Sequence, residues 1–164
     1  MKYFTKELWR QLNAEEQEVR EDAEKRWKEN EIEYCNYIRG NRHIKIRKLR
    51  DNLLKYNLHD SSIYRMVWDS EKQKFVIETE YQGNELQIIF LRVKKVNLSL
   101  QDALAIPTGL RWGYYELFQE SRQFITIDIL FDFENELSIT AEAVDIIWDM
   151  NTGDGTMCSD KTPE

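Results

Sequence analysis

The sequence predicts an α+β domain in which N-terminal helices pack on one face of a roughly six-stranded antiparallel meander sheet. Up to residue 57 the apolar side chains recur every three to four positions, which is the period of an amphipathic helix. From Ile63 onward the apolar side chains alternate with polar ones, a pattern typical of strands that bury one face. Short connections join most of these strands, and short connections favour antiparallel neighbours.

The helical part, residues 1–57, is expected to contain two or three helices. Asn13 and Glu16 have the spacing of a capping box, so a helix boundary is expected there. Gly40 is suited to end the next helix, and Asn41 is suited to cap another that continues to residue 56. The apolar residues of that last helix are expected to face the core: Ile46, Leu49, Leu53 and Tyr56.

The sheet part, residues 58–150, shows the two-residue period in several segments. The segment KFVIETEY places Phe75, Ile77 and Thr79 on one face, and Glu78 and Glu80 on the other. The segment FITIDILFDF likewise alternates an apolar set with a second set that includes two aspartates. The apolar set is Ile125, Ile127, Ile129, Phe131 and Phe133. The one long connection, 99–109, contains SLQDAL, which could form a single helical turn.

Length and composition predict one folded domain over residues 1–150 and a disordered polar tail at 151–164. A chain of 164 residues with 41% hydrophobic residues can bury one substantial core. The opening residues become charged before a signal-peptide-like apolar run accumulates, and the other apolar runs are too short to cross a bilayer. We therefore expect a cytoplasmic protein with no membrane association.

The two cysteines, Cys35 and Cys158, argue against a disulfide or a zinc site. Neither belongs to a C-x-x-C pair, and neither lies near a histidine in the sequence. The sequence also lacks a Gly-rich phosphate loop, a nucleophile elbow and a helical His-Glu-x-x-His motif. We therefore expect no cofactor and no bound metal.

The net charge of −7 is distributed unevenly along the chain. Residues 1–57 carry 14 basic and 11 acidic side chains, whereas residues 58–164 carry 9 basic and 19 acidic ones. The basic segment 39–50 could follow a phosphate backbone, but it has no interleaved aromatic residues and no recognition-helix motif. Because the acidic sheet part offers an internal counter-charge, we expect this segment to be solvated or paired within the domain rather than bound to nucleic acid.

Four passages together resemble an uncharacterised bacterial family, domain of unknown function 4085. They are MKYFTKELW at the start, LHDSSI after the helical part, RWGYYELFQE between strands and ELSITAEAVDI near the end. The resemblance implies a shared fold and a bacterial source. It implies no activity, since none is assigned to that family. The sheet part is also similar in general pattern to small immunity proteins that neutralise bacterial toxins.

His59 and Asp60 form the one sequence feature that suggests catalysis. A histidine works as a general base when a carboxylate orients its ring and a nucleophile or a water lies within reach. Successive side chains of an extended segment point to opposite faces, so these two residues are not expected to orient one another. We expect instead that Asp60 forms an Asx turn with the backbone of Ser61 or Ser62, while His59 packs at the junction of helices and sheet.

Two surface features favour binding to another protein. The hairpin near the chain end is rich in carboxylates that could attract a basic partner, and its candidate docking residues are Asp128, Asp132, Glu134 and Glu136. These carboxylates lack the spacing of a calcium loop. The strand RWGYYELF places Trp112, Tyr114, Glu116 and Phe118 on one face, and Trp112 and Tyr114 are candidate interface anchors. Such aromatic residues more often fill the contact between sheet and helices.

The sequence therefore favours a non-enzymatic cytoplasmic domain that binds a protein. Its sharpest form is a toxin-immunity protein whose acidic surface meets a basic toxin. Two alternatives stay open: a hydrolase that uses His59 and Asp60, and a nucleic-acid binder that uses the basic segment 39–50.

Overall fold

The computed structural model describes residues 1–56, 58–81, 83–99, 110–132 and 135–149. The expected helical turn in the 99–109 connection and the expected tail at 151–164 lie outside these ranges. Within them the chain forms three helices, which are α1 (Lys6–Leu12), α2 (Gln17–Gly40) and α3 (Ile44–Lys55). Six strands follow: β1 (Ser62–Asp69), β2 (Lys74–Tyr81), β3 (Asn84–Ser99), β4 (Leu110–Gln119), β5 (Ile125–Phe131) and β6 (Glu136–Asp149).

The predicted fold class is confirmed, because three N-terminal helices precede a six-stranded antiparallel sheet. The strand order differs from that of a simple meander. The sheet is a closed barrel in the order β1-β2-β3-β6-β5-β4, so β3 pairs with β6 and not with β4. The physical reason lies in the lengths: β3 and β6 span 16 and 14 residues and pair along most of them, whereas a long connection separates β3 from β4.

The barrel interior confirms the two-residue period that the sequence shows. The side chains predicted to face inward from β2 and β5 are buried: Phe75, Ile77, Thr79, Ile125, Ile127, Ile129 and Phe131. Phe133 lies outside the described residues. The predicted apolar face of α3 joins the same core through Ile46, Leu49, Leu53 and Tyr56. Thr79 is the polar member of the inward set, and its hydroxyl donates a hydrogen bond of 2.9 Å to the carbonyl oxygen of Ser62.

The boundary between α1 and α2 falls where the sequence predicts it, but the predicted capping box is wrong. Asn13 is the C-cap of α1, and its side-chain amide donates to the carbonyl oxygen of Trp9 at 2.8 Å. Glu16 occupies the N-cap position of α2 and makes no side-chain capping bond. Thr5 caps α1 instead, because its hydroxyl accepts a hydrogen bond from the N–H of Leu8.

None of the described helices is long and apolar enough to cross a membrane.

The barrel closes between its first and fourth strands. Among the described residues, Ser62 pairs with Arg111 and Ile63 with Leu110, and backbone hydrogen bonds join Trp112 to Asp60 and Ser61. Further along β4, two tyrosine hydroxyls of α2 accept hydrogen bonds from backbone N–H groups. The hydroxyl of Tyr34 accepts from Leu117 at 2.8 Å, and that of Tyr37 accepts from Gln119 at 3.2 Å. Helix α2 therefore satisfies part of a strand edge that the sheet leaves without a partner.

Gly113 sits at an extra residue in β4 and allows close approach to β5. The register shifts between Trp112 and Tyr114, which pair with Phe131 and Leu130. A Cβ atom at Gly113 would lie 2.7 Å from the carbonyl oxygen of Leu130, which is closer than van der Waals contact permits. Only glycine fits this position without displacing β5.

We predict that Gly113→Ala lowers the free energy of unfolding by roughly 1–3 kcal/mol, because the added methyl group forces the two strands apart. Gly40→Ala is the matched control, since a Cβ at Gly40 meets nothing within 4 Å. Urea unfolding followed by circular dichroism measures both variants. Equal midpoints for the two variants would contradict the close-approach explanation.

Candidate functional site

The start of the chain is fixed to the outer face of β4 by one buried carboxylate. Glu116 has no exposed surface, and its two oxygens accept three backbone N–H groups. Oε2 accepts from Lys2 at 2.7 Å. Oε1 accepts from Tyr3 at 2.8 Å and from Phe4 at 2.6 Å. Hydrogen bonds to an ionised acceptor are stronger than neutral ones, so this contact compensates the burial of the charge.

Two neighbouring residues also hold this N-terminal segment, residues 1–4. Asp128 pairs with Glu116 across β4 and β5, and its Oδ2 lies 3.4 Å from the amino nitrogen of Met1. On the other side, the Asn30 side chain of α2 donates to the carbonyl oxygen of Tyr3 at 2.7 Å. The segment is thus tied both to the sheet and to the helix above it.

An aromatic cluster fills the space between α1, α2 and the outer face of β4. The ring of Tyr114 lies 4.6 Å from that of Trp27 and 5.7 Å from those of Phe4 and Trp9, measured between centroids. Phe118 extends the cluster toward Tyr3 and Tyr37. Tyr114 and Phe118 therefore join helices to sheet. Sequence reasoning missed the two aromatic residues of the chain start, Tyr3 and Phe4, as partners of this strand.

The prediction that Trp112 shares a face with Tyr114 is wrong. The extra residue at Gly113 shifts the alternation, so Trp112 turns into the barrel core while Tyr114 and Glu116 stay on the outer face. Trp112 is only 1% exposed. Its Nε1 is buried without a hydrogen-bond partner among the described residues.

The structure brings His59 and Asp60 together, contrary to the sequence-based expectation. Nδ1 of His59 lies 3.0 Å from Oδ2 of Asp60. Asp60 has a φ of 66°, so the alternation of an extended segment does not apply to this pair. Its N–H donates to the carbonyl oxygen of Trp112 at 2.8 Å, which anchors the turn beside β4. The carboxylate contacts the imidazole instead of forming the Asx turn that the sequence suggests.

His59 lies at a cavity of about 600 Å³ between α2, α3 and β4. Its ring meets the ring of Tyr114 edge-on at 5.1 Å. Cys35 and Glu31 reach the same cavity from α2, and Trp112 forms part of its base. Burial raises the pKa of the phenol of Tyr114, and nearby Asp60 and Glu31 raise it further, so this phenol stays neutral.

The predicted docking residues of the β5–β6 hairpin have internal partners. Asp128 is 15% exposed and faces the N-terminal segment. Asp132 accepts a hydrogen bond of 3.0 Å from the N–H of Arg111. Glu136 forms an ion pair of 3.5 Å with Lys6. Glu134 lies outside the described residues.

Two cations of the basic segment 39–50 have partners within the domain, which are backbone carbonyl oxygens and Asp51 rather than acidic side chains of the sheet. Nζ of Lys45 donates to the carbonyl oxygens of Gln123 and Glu142, both at 2.8 Å. Arg50 pairs with Asp51 at 2.6 Å. Its other cations include Arg39, Arg42 and Arg47, which are exposed.

A second acidic surface lies on the outer face of β1, β2 and β3, and we call it the acidic sheet face. It consists of Tyr64, Glu78, Glu80 and Glu85, and Glu78 already pairs with Arg65 at 3.4 Å. Glu80 and Glu85 stand directly opposite each other on paired strands, and both are exposed. A register shift after Ile63 accompanies Tyr64, which is 47% exposed. The sequence predicts part of this surface, because Glu78 and Glu80 occupy the outward positions of KFVIETEY.

Within the described residues, no group of three or more histidine, cysteine, aspartate or glutamate side chains could hold a metal ion. His59 and Asp60 therefore form an isolated pair with respect to metal coordination.

Comparisons with known proteins give little further information. No protein-family model matches the chain, and no curated protein matches it. The expected membership in domain of unknown function 4085 therefore stays a prediction. A solved structure described as "Crystal structure of an uncharacterized protein from Neisseria gonorrhoeae" is similar at 18% identity and a TM-score of 0.41. The match covers 54% of this chain and 90% of that one.

We predict that Glu116→Gln lowers the free energy of unfolding by about 2–4 kcal/mol, because the amide keeps one acceptor oxygen and places an NH₂ group against N–H donors. Glu120→Gln, an exposed position at the end of the same strand, is the control and should leave stability unchanged. Urea unfolding measures both. A Glu116→Gln variant as stable as the control would show that the three hydrogen bonds contribute little.

Proposed function

We propose that this protein is a non-enzymatic domain that binds a basic protein partner through the acidic sheet face. The observation that carries the proposal is the pair Glu80 and Glu85. Their carboxylates project from directly opposite positions, and neither forms an ion pair with a described residue. Like charges in this arrangement destabilise a sheet. A cationic partner would turn that repulsion into attraction and would also speed association.

Exposed apolar groups beside these carboxylates support a protein partner rather than a small cation. Tyr64 is 47% exposed, and Ile147, which pairs with Gln87 two positions along β3 from Glu85, is 50% exposed. Burial raises the pKa of the Tyr64 phenol, and the charges of Glu85, Glu78 and Glu80 raise it further, so these groups lie near one another. An aromatic ring next to unpaired charge is a common composition of protein interfaces.

The proposal moves the docking surface away from the β5–β6 hairpin. Asp128, Asp132 and Glu136 already contact cations or N–H groups of their own chain. A partner would have to displace those contacts before it could use the charges. Glu80 and Glu85 have no ion pair with a described residue that a partner would have to displace. Neutralisation of a basic toxin is the sharpest form of this function, and the overall charge of −7 is consistent with it.

We predict that the double variant Glu80→Gln, Glu85→Gln is more stable than the wild type by roughly 0.2–1 kcal/mol, because it removes like-charge repulsion. The same variant should lose a salt-sensitive basic partner captured from a lysate of the organism that encodes the protein. Urea unfolding and affinity capture with mass spectrometry measure the two effects.

The matched control is the double variant Glu71→Gln, Glu120→Gln, which changes the charge equally at exposed turn positions outside the acidic sheet face. It should retain the partner. Recovery of the same proteins with both double variants would contradict the proposed surface.

A second candidate function, hydrolysis, gains one observation from the structure. The 3.0 Å contact between Asp60 and His59 is the arrangement by which a carboxylate orients an imidazole. Cys35 reaches the same cavity and is the candidate nucleophile. An imidazole that accepted the proton of this thiol would make the sulfur more reactive.

The reactivity of Cys35 distinguishes the two functions. Alkylation by iodoacetamide is followed in a Cys158→Ser background, so that the measured rate is that of Cys35. If the thiol is ordinary, we predict equal rates with and without His59→Ala. A rate that falls about tenfold or more in His59→Ala would favour the hydrolase.

A further inference from the structure

A second cavity opens between α2 and α3, above the side chain of Tyr115, and we call it the Tyr115 groove. Its volume is about 290 Å³. Its walls are mostly apolar and include Tyr34, Ile38, Leu54 and Tyr115. Leu54 is 69% exposed there, a large apolar side chain without cover. Nothing in the proposed protein-binding function uses this groove.

The groove is built from side chains that are fixed in place. Tyr34 accepts a hydrogen bond from the N–H of Leu117, which holds its ring against β4. Ile38 is 7% exposed and belongs to the barrel core. Tyr115 packs against the same core, and its ring lies 6.3 Å from that of Trp112. A preformed apolar cavity of this kind is typical of small-molecule sites.

Two guanidinium groups stand at the groove, Arg39 on α2 and Arg50 on α3. Arg39 is exposed and forms no ion pair with a described residue. Arg50 donates to Asp51 through Nε and one terminal nitrogen, and its other terminal nitrogen has no hydrogen-bond partner among the described residues. Arginine binds carboxylates through paired N–H groups, so these two side chains favour an anion.

The groove continues into the larger cavity near His59. Both are lined by Tyr34, Cys35, Leu54 and Tyr115. The two cavities are therefore adjacent, and Trp112 and Leu58 line the larger one on the side away from the Tyr115 groove.

We propose that the Tyr115 groove binds an amphipathic carboxylate, a carboxylate group attached to an unbranched apolar chain, with its anionic end at Arg39 and Arg50. Tyr115 contributes a neutral hydroxyl at this end, because burial keeps its phenol protonated. The chain lies on Leu54, Tyr34 and Tyr115. The ligand gains affinity from apolar burial, and the arginines select the sign of its charge.

Isothermal titration calorimetry with sodium decanoate, below its micelle concentration, tests the proposal on the full chain. We expect saturable binding that strengthens severalfold from octanoate to decanoate, since each added methylene buries more apolar surface. Nonyltrimethylammonium, which has the same nine-carbon chain and the opposite charge, should bind at least about tenfold more weakly.

Two pairs of variants at exposed positions locate the site. Arg39→Gln should weaken decanoate binding about three- to tenfold, whereas Arg47→Gln, on the exposed side of α3, should leave it unchanged. Leu54→Glu should abolish binding, whereas Ile44→Glu, at a comparably exposed position of the same helix, should not.

Three results would overturn the proposal. One is no saturable binding of decanoate at concentrations up to about 1 mM, the upper end of typical KM values. Another is equal affinity for the anionic and the cationic detergent-like probes. The third is an equal loss of affinity in a groove variant and its control. The acidic-sheet-face function is unaffected by any of them, because the groove lies on other elements.

Discussion

The structure depends on the requirement that the buried carboxylate of Glu116 must find hydrogen-bond donors. A charge with no exposed surface is costly unless it is fully paired. No described cation forms an ion pair with Glu116, and three backbone N–H groups of residues 2–4 donate hydrogen bonds to it. Because those donors belong to the chain start, the carboxylate fixes where the first residues lie. Phe4 and Tyr3 then supply rings to the aromatic cluster on which α1 and α2 rest.

This arrangement divides the surface of the barrel into parts with different roles. Helices α1 and α2 contact the outer face of β4, and α2 also accepts hydrogen bonds from N–H groups of Leu117 and Gln119 in that strand. Helix α3 contributes its apolar face to the core and leaves a groove beside α2. The acidic sheet face of β1–β3 stays exposed. Asp128, Asp132 and Glu136 are paired internally, whereas Glu80 and Glu85 form no ion pair with a described residue.

The sequence predicts what short-range periodicity determines. The inward positions of β2, β5 and α3 follow from alternation and helical spacing, and the structure confirms them. The sequence does not predict features that depend on a contact between distant segments. The extra residue at Gly113 is defined by the pairing of β4 with β5. Counting alternate residues along β4 alone therefore places Trp112 on the wrong face. The left-handed backbone of Asp60 similarly brings His59 and Asp60 together although simple alternation separates them. The role of Glu116 has no local signal, because its partners are more than 110 residues away.

Native-state hydrogen exchange tests the central role of Glu116 most directly. If Glu116 joins the chain start to the barrel as a single cooperative unit, the amides of Tyr3 and Phe4 open only with the strand that carries Glu116. Their opening free energies, measured by NMR, should then equal that of the Leu117 amide in β4. Rapid exchange at Tyr3 and Phe4 while Leu117 remains protected would show that the segment detaches independently, and would contradict this account.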